Sequence, residues 1–170
     1  MREEKIIIWD TELSLINRLG DELIEAGFNA SNSIIISVST DYSSIVGQLL
    51  RHRLSFNGEV AEGFGVDVPY PDEEWTDKYK KELYDTFKIH SSGFRGKNLI
   101  LVEAGVIRGG NYTFLTEWIR KYIPFDGKII TLALYENEGS VFKSDFVGEY
   151  YNDDTEDLTF WWERENKHWR

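Results

Sequence analysis

Apolar positions along this chain switch between two periods. Over residues 12–27, Leu13, Leu15, Ile16, Leu19, Leu23 and Ile24 recur at helical spacing, and Gly27 follows where a helix ends in a left-handed residue. The run SIIISVS at 33–39 is nearly continuous in apolar and small residues and predicts a buried strand. Ser43 or Ser44 is placed to cap a helix that runs to about Leu54. Residues 59–66 read as a strand. Residues 67–77 carry two prolines and five acids and read as a loop. A short helix is expected over 77–87, and SSGFRGK at 91–97, with its two glycines, reads as a mobile connector. A strand follows at 98–102, then a helix from about Thr113 to Ile123 that stops at Pro124, then a strand at 128–135. Strands that are nearly continuous in apolar residues and alternate with helices predict an α/β fold, its mostly parallel sheet covered on both faces. No repeat or linker divides the chain, so residues 1–170 form one expected domain.

In such a sheet, right-handed crossovers place ligands at the carboxyl ends of the strands. Two loops lie there, at 39–44 and 103–111. The second sits in NLILVEAGVIRGGNYT, residues 98–113, and is the more informative. An apolar strand ends on Glu103, the pair Gly109-Gly110 follows, and an amphipathic helix begins. Strand, glycine loop and helix start together make an anion site. Backbone N–H groups at the helix N-terminus point at the ligand, and glycine permits close approach. An acid beside it can hold sugar hydroxyls or a metal. The pattern predicts a bound phosphorylated sugar.

Composition narrows the alternatives. Hydrophobic residues make up 41% of the chain and aromatics 15%, which is globular rather than disordered. There is no cysteine, hence no disulfide or thiolate metal site. No apolar run approaches the ~20 residues that span a bilayer, and MREEKIIIW is too short for a secretory segment, so a cytoplasmic protein without membrane contact is expected. A net charge of −11 argues against nucleic acid as a partner. The basic clusters Arg51-His52-Arg53 and 78–81 are small. The three histidines show no metal spacing, and no Walker A, dinucleotide or G-x-S-x-G motif is present. In the aromatic run near the end, strand alternation sends Phe160 and Trp162 to one face and Trp161 to the other.

Four segments carry a family resemblance. They are Ile8-Trp9-Asp10 before a long helix, the stretch from Ser33 to Leu50, Asn98 to Tyr112, and Phe160-Trp161-Trp162-Glu163. Together they resemble the type I phosphoribosyltransferases, closest to the small purine (xanthine/hypoxanthine-type) enzymes. The resemblance implies a central sheet flanked by helices, with a small hood from the termini. It implies transfer of ribose 5-phosphate from phosphoribosyl pyrophosphate to a purine base, as in purine salvage, with Mg²⁺ and often as a homodimer. Glu103 would then be the catalytic acid on the ribose. Gly105, Val106, Ile107, Arg108, Gly109, Gly110 and Asn111 would form the 5′-phosphate loop. Thr40, Asp41, Tyr42 and Ser43 would meet the pyrophosphate, with Glu103 and Asp41 as metal ligands. Phe160, Trp161 or Trp162 would stack on the base, and 91–97 would close over the site.

The resemblance has departures. Ala104 stands where the family has a second acid, Arg108 and Asn111 replace hydroxyl residues, and Asp41-Tyr42-Ser43 occupies the place of Arg-Gly-Gly. Arg108 offers a phosphate fork in exchange. These changes support a second reading, a nucleotide-sensing or partner-binding module without catalysis. The charge supports a third, an acidic protein that presents 67–77 and 153–157 to a basic partner in imitation of nucleic acid.

Overall fold

The computed structural model describes residues 2–39, 42–55, 59–69 and 74–160. In chain order the elements are β1 (Glu3–Ile7), α1 (Trp9–Glu25), β2 (Ser33–Val38), α2 (Tyr42–Leu54), β3 (Glu62–Val66), α3 (Asp77–His90), β4 (Asn98–Val106), α4 (Gly110–Tyr122), β5 (Ile129–Asn137), β6 (Phe146–Tyr151) and β7 (Glu156–Phe160). Strands β2 to β6 form one sheet in the order β3-β2-β4-β5-β6, and every neighbouring pair is parallel. This is the expected α/β architecture. β1 and β7 pair in parallel in a separate two-stranded sheet, with Glu3 opposite Glu156 and Ile7 opposite Phe160. That ribbon is the hood implied by the resemblance. Among the described residues, no helix is long and apolar enough to cross a membrane.

The inner strand β2 is buried at every residue, because both faces are covered. Ile35 joins Leu19 and Leu23 of α1 and Val46 and Leu50 of α2 in one core. Ile34, Ile36 and Val38 join Phe87 of α3 and Leu115 and Ile119 of α4 in the other. The period-2 alternation of the strand thus feeds two cores. α1 ends as its glycine predicts. Gly27 takes φ +90°, and the N–H groups of Gly27 and Phe28 reach back to the carbonyls of Ile24 and Leu23.

Several boundaries differ from the sequence expectation. β4 continues to Val106 rather than ending at Val102, because β5 offers a parallel partner as far as Glu136. Ladder hydrogen bonds override the weak strand preference of Glu103, Ala104 and Gly105. α4 begins at Gly110, ahead of Thr113, with left-handed Gly109 as its N-cap. β3 starts at Glu62 rather than residue 59, and β5 lies at 129–137 rather than 128–135. β6, a strand outside the elements expected from the sequence, pairs along β5.

The stretch 91–97 is placed differently from a closing segment. It enters the amino end of β4, opposite the end where the 103–111 loop lies. Phe94 is fully buried, the Gly96 N–H binds the Asp126 carboxylate at 2.7 Å, and the Lys97 ammonium binds the Ser31 carbonyl. A segment fixed there cannot cover a site at the carboxyl ends of the strands.

Candidate functional site

β2 is followed by α2 and then β3 on one side of it, whereas β4 is followed by α4 and then β5 on the other. The strand order therefore reverses between β2 and β4. The helices after these strands depart to opposite faces, and a crevice opens at their carboxyl ends. A cavity of about 730 Å³ occupies it. Its floor is Glu103, Ala104 and Gly105 of β4, with Ile107 of the β4–α4 loop and Asn111 at the start of α4. One wall is Ser39, Tyr42 and Ser43, and a second is Asp67, Val68 and Pro69 together with Lys78, Tyr79 and Glu82 of α3. The hood side supplies Tyr151, Asp153, Asp157, Leu158 and Phe160.

Glu103 faces the α4 side of the sheet, and Asn111 Nδ2 donates to its carboxylate at 3.2 Å. Burial pushes the Glu103 carboxyl up to about 7, and the Asn111 amide opposes the shift. At neutral pH this acid is therefore poised between proton donor and acceptor. Burial first, and then the carboxylates of Asp153 and Glu103, raise the Tyr151 phenol to about 12, so it stays a neutral hydroxyl. Ser39 holds φ +75° at the end of β2, with its N–H on the Val66 carbonyl at 3.0 Å. Left-handed backbone at a residue other than glycine is strained, and such strain clusters at sites where a loop must hold a set course.

Ser43 is not a cap. It lies inside α2, is buried, and its hydroxyl accepts the Ala104 N–H at 3.0 Å, tying α2 to the floor of the cavity. Ser43→Ala leaves that buried N–H without its partner and is expected to cost about 1–3 kcal/mol, read as a lower midpoint in urea. An unchanged midpoint would mean the bond contributes nothing.

The cavity gathers Glu103, Gly105, Ile107, Asn111, Tyr42, Ser43 and Phe160 from the residues singled out in the sequence. Others stand elsewhere. Val106 is buried in the α3/α4 core, and Arg108 is exposed outside the cavity lining. Gly109 is buried against the 138–145 loop, where a Cβ would lie 2.3 Å from Phe142 Cβ. Gly110 opens to free space. Thr40, Asp41, Trp161 and Trp162 lie outside the described residues. The α3 residues, Asp67 and the hood acids were not foreseen as lining. Only the basic cluster at 78–81 had marked that part of α3. Among the described residues, no three histidine or acidic side chains gather closely enough to hold a metal ion.

The fold that carries this cavity is similar to solved structures. A purine phosphoribosyltransferase from Pyrococcus horikoshii OT3 superposes with a TM-score of 0.68 at 16% identity, over 94% of this chain and 93% of that one. The fold is phosphoribosyltransferase-like. A hypothetical protein from Neisseria gonorrhoeae with bound ppGpp shares this phosphoribosyltransferase-like fold, with a TM-score of 0.69 at 16% identity over 100% of this chain and 99% of that one. No protein-family model and no curated protein matches the chain by sequence.

Proposed function

We propose that the cavity binds a phosphorylated ribose, as a purine nucleotide or as phosphoribosyl pyrophosphate. The observation that carries this is the position of Glu103 and the α4 N-terminus together in one cavity at the reversal of strand order. Glu103 would accept the ribose hydroxyls. The N–H groups that open α4 would face the 5′-phosphate, as at other helix N-termini. The similar folds point the same way, one named as a purine phosphoribosyltransferase and one holding ppGpp. Phe160 lines the hood half, where a base would stack on it.

Charge sets the terms of binding. Asp67, Glu82, Glu103, Asp153 and Asp157 line the cavity against Lys78 alone among the described lining residues. A diphosphate would meet this surface as its Mg²⁺ complex, with one or two carboxylates and the ligand's own oxygens as donors. When bound, Mg²⁺ would neutralise diphosphate charge. The hood carboxylates Asp153 and Asp157 share the Arg2 guanidinium, at 3.7 and 3.2 Å, which offsets part of their charge.

In the active form the protein would transfer ribose 5-phosphate to the purine. The second reading, binding without transfer, draws on Ala104. Its methyl group borders the cavity where a second ribose acid would stand, and it packs in the α1/α2 core. The third reading finds less support, because Asp67, Asp153 and Asp157 border the cavity and Arg2 bonds Asp157 at 3.2 Å.

Calorimetric titration with GMP, XMP and phosphoribosyl pyrophosphate, with and without Mg²⁺, tests the proposal. Gly105→Leu is the matched control. A Cβ there meets nothing within 4 Å, so the side chain enters the cavity without displacing the fold. Saturable binding by the wild type, weakened at least about tenfold in Gly105→Leu at an unchanged melting temperature, is expected. No heat at millimolar concentrations of any of the three ligands would overturn it. Binding without pyrophosphate release in the presence of guanine would select the second reading.

A further inference from the structure

Asn137 closes β5 and does not line the cavity, yet it bonds three chain segments at once. Its Nδ2 donates to the Ile107 carbonyl at 3.2 Å, in the loop between β4 and α4. Its Oδ1 accepts the Gly139 N–H at 3.1 Å, which shapes the turn after β5. The same oxygen accepts the Asp153 N–H at 3.3 Å, in the turn between β6 and the hood strand β7. The Glu138 N–H on the Tyr151 carbonyl at 2.8 Å and the Ser140 N–H on the Asn137 carbonyl at 2.9 Å hold the same junction from the backbone.

Ile107 and Asp153 both line the cavity, one on the phosphate half and one on the hood half. Only a side chain with both a donor and an acceptor can make this arrangement. An amide has both, whereas an ionised carboxylate only accepts. Polar networks of this kind fix one geometry when every member is satisfied.

We infer that Asn137 is a positioning residue that sets the hood and the β4–α4 loop relative to one another, so that the two halves of the cavity form one ligand site. The inference rests on the proposed nucleotide reading for its ligand consequence, and on the hydrogen bonds alone for its structural one. Asn137→Asp keeps the acceptor for Gly139 and Asp153 but sets a carboxylate oxygen against the Ile107 carbonyl. Asn137→Ala removes all three bonds.

Two measurements decide it. The first is hydrogen–deuterium exchange in the unliganded protein. Exchange should rise at 107–111 in Asn137→Asp, and at both 107–111 and 152–155 in Asn137→Ala. Exchange unchanged at both segments in both variants would overturn the inference. The second compares ribose 5-phosphate, which engages the phosphate half, with GMP, which engages both. The advantage of GMP over ribose 5-phosphate should fall about fivefold in Asn137→Ala, the low end of coupling between sites. Equal weakening of both ligands would mean a merely structural role and would also overturn it. Wild-type protein that binds neither probe would sink the nucleotide reading, while the exchange result would still decide the role of Asn137.

Discussion

Gly109→Ala is expected to destabilise the protein by about 3 kcal/mol, while Gly110→Ala beside it is neutral or slightly stabilising. At Gly109 two effects add. Its φ of +76° costs a residue with a Cβ about 1 kcal/mol, and the new methyl would lie 2.3 Å from Phe142 Cβ and 3.3 Å from Phe142 Cα. Overpacking a tight contact adds about 1–3 kcal/mol. At Gly110 a Cβ meets nothing within 4 Å and φ is not positive, so alanine gains helix propensity at the first position of α4. For a chain of this size the Gly109 change should lower the melting temperature by roughly 6–12 °C. It should also weaken nucleotide binding, because the shifted 107–109 loop carries the entry to α4. Similar melting temperatures for the two variants would refute the assignment of different roles to the two glycines.

This pair also shows what the sequence made legible. Gly-Gly between a strand and a helix marked a turn and a helix start, and both are there. Which glycine is required was not legible, because the reason lies in Phe142, a residue far along the chain that packs on Gly109. The same holds more widely. The parallel sheet, α1 with its Gly27 terminus and the buried strand β2 follow from local periodicity, and they are found. Glu103 stood out because an acid directly follows an apolar run, and it is in the cavity. Asp67, Glu82, Asp153 and Asp157 carry no local signal that separates them from solvated acids. They reach the cavity only through the crossover and hood geometry. The extension of β4 past Glu103 and the position of 91–97 were equally hidden, because ladder partners and the polarity of the sheet decided them.

Glu103→Gln is expected to change how stability and binding respond to pH. The folded carboxyl titrates at about 7, above its ordinary 4.5, because burial disfavours its charge. A raised acid binds its proton more tightly when folded. Its stabilising contribution is fully present below about 4.5 and is lost as pH rises through about 7. Glutamine keeps the size, accepts from Asn111 and has no proton to lose. The variant should therefore gain about 2–3 kcal/mol relative to the wild type between about pH 4.5 and about pH 8, a value discounted from the full shift because Glu103 is only partly buried. Binding should diverge in the opposite sense. The ionised carboxylate accepts ribose hydroxyls more strongly than a neutral acid, so the ratio of wild-type to Glu103→Gln affinity for GMP should rise through about pH 7, the titration of the GMP phosphate being common to both. Denaturant midpoints and titrations at a series of pH values measure both. Parallel pH profiles for the two proteins would show that Glu103 does not titrate in this range.

The pairing of β1 with β7 has a consequence in time. Glu3 aligns with Glu156, so this ribbon joins residues from nearly opposite ends of the described chain. Contacts of such long sequence separation close late, because loop entropy must be overcome first. A two-stranded ribbon is also marginal by itself, and this one leans on the core through Ile7, Leu158 and Phe160. The five-stranded sheet and the β4–α4 side of the cavity can form on the growing chain before β7 exists. The roof of the cavity is therefore expected to arrive last in folding and to lift away first in a partial opening of the native protein.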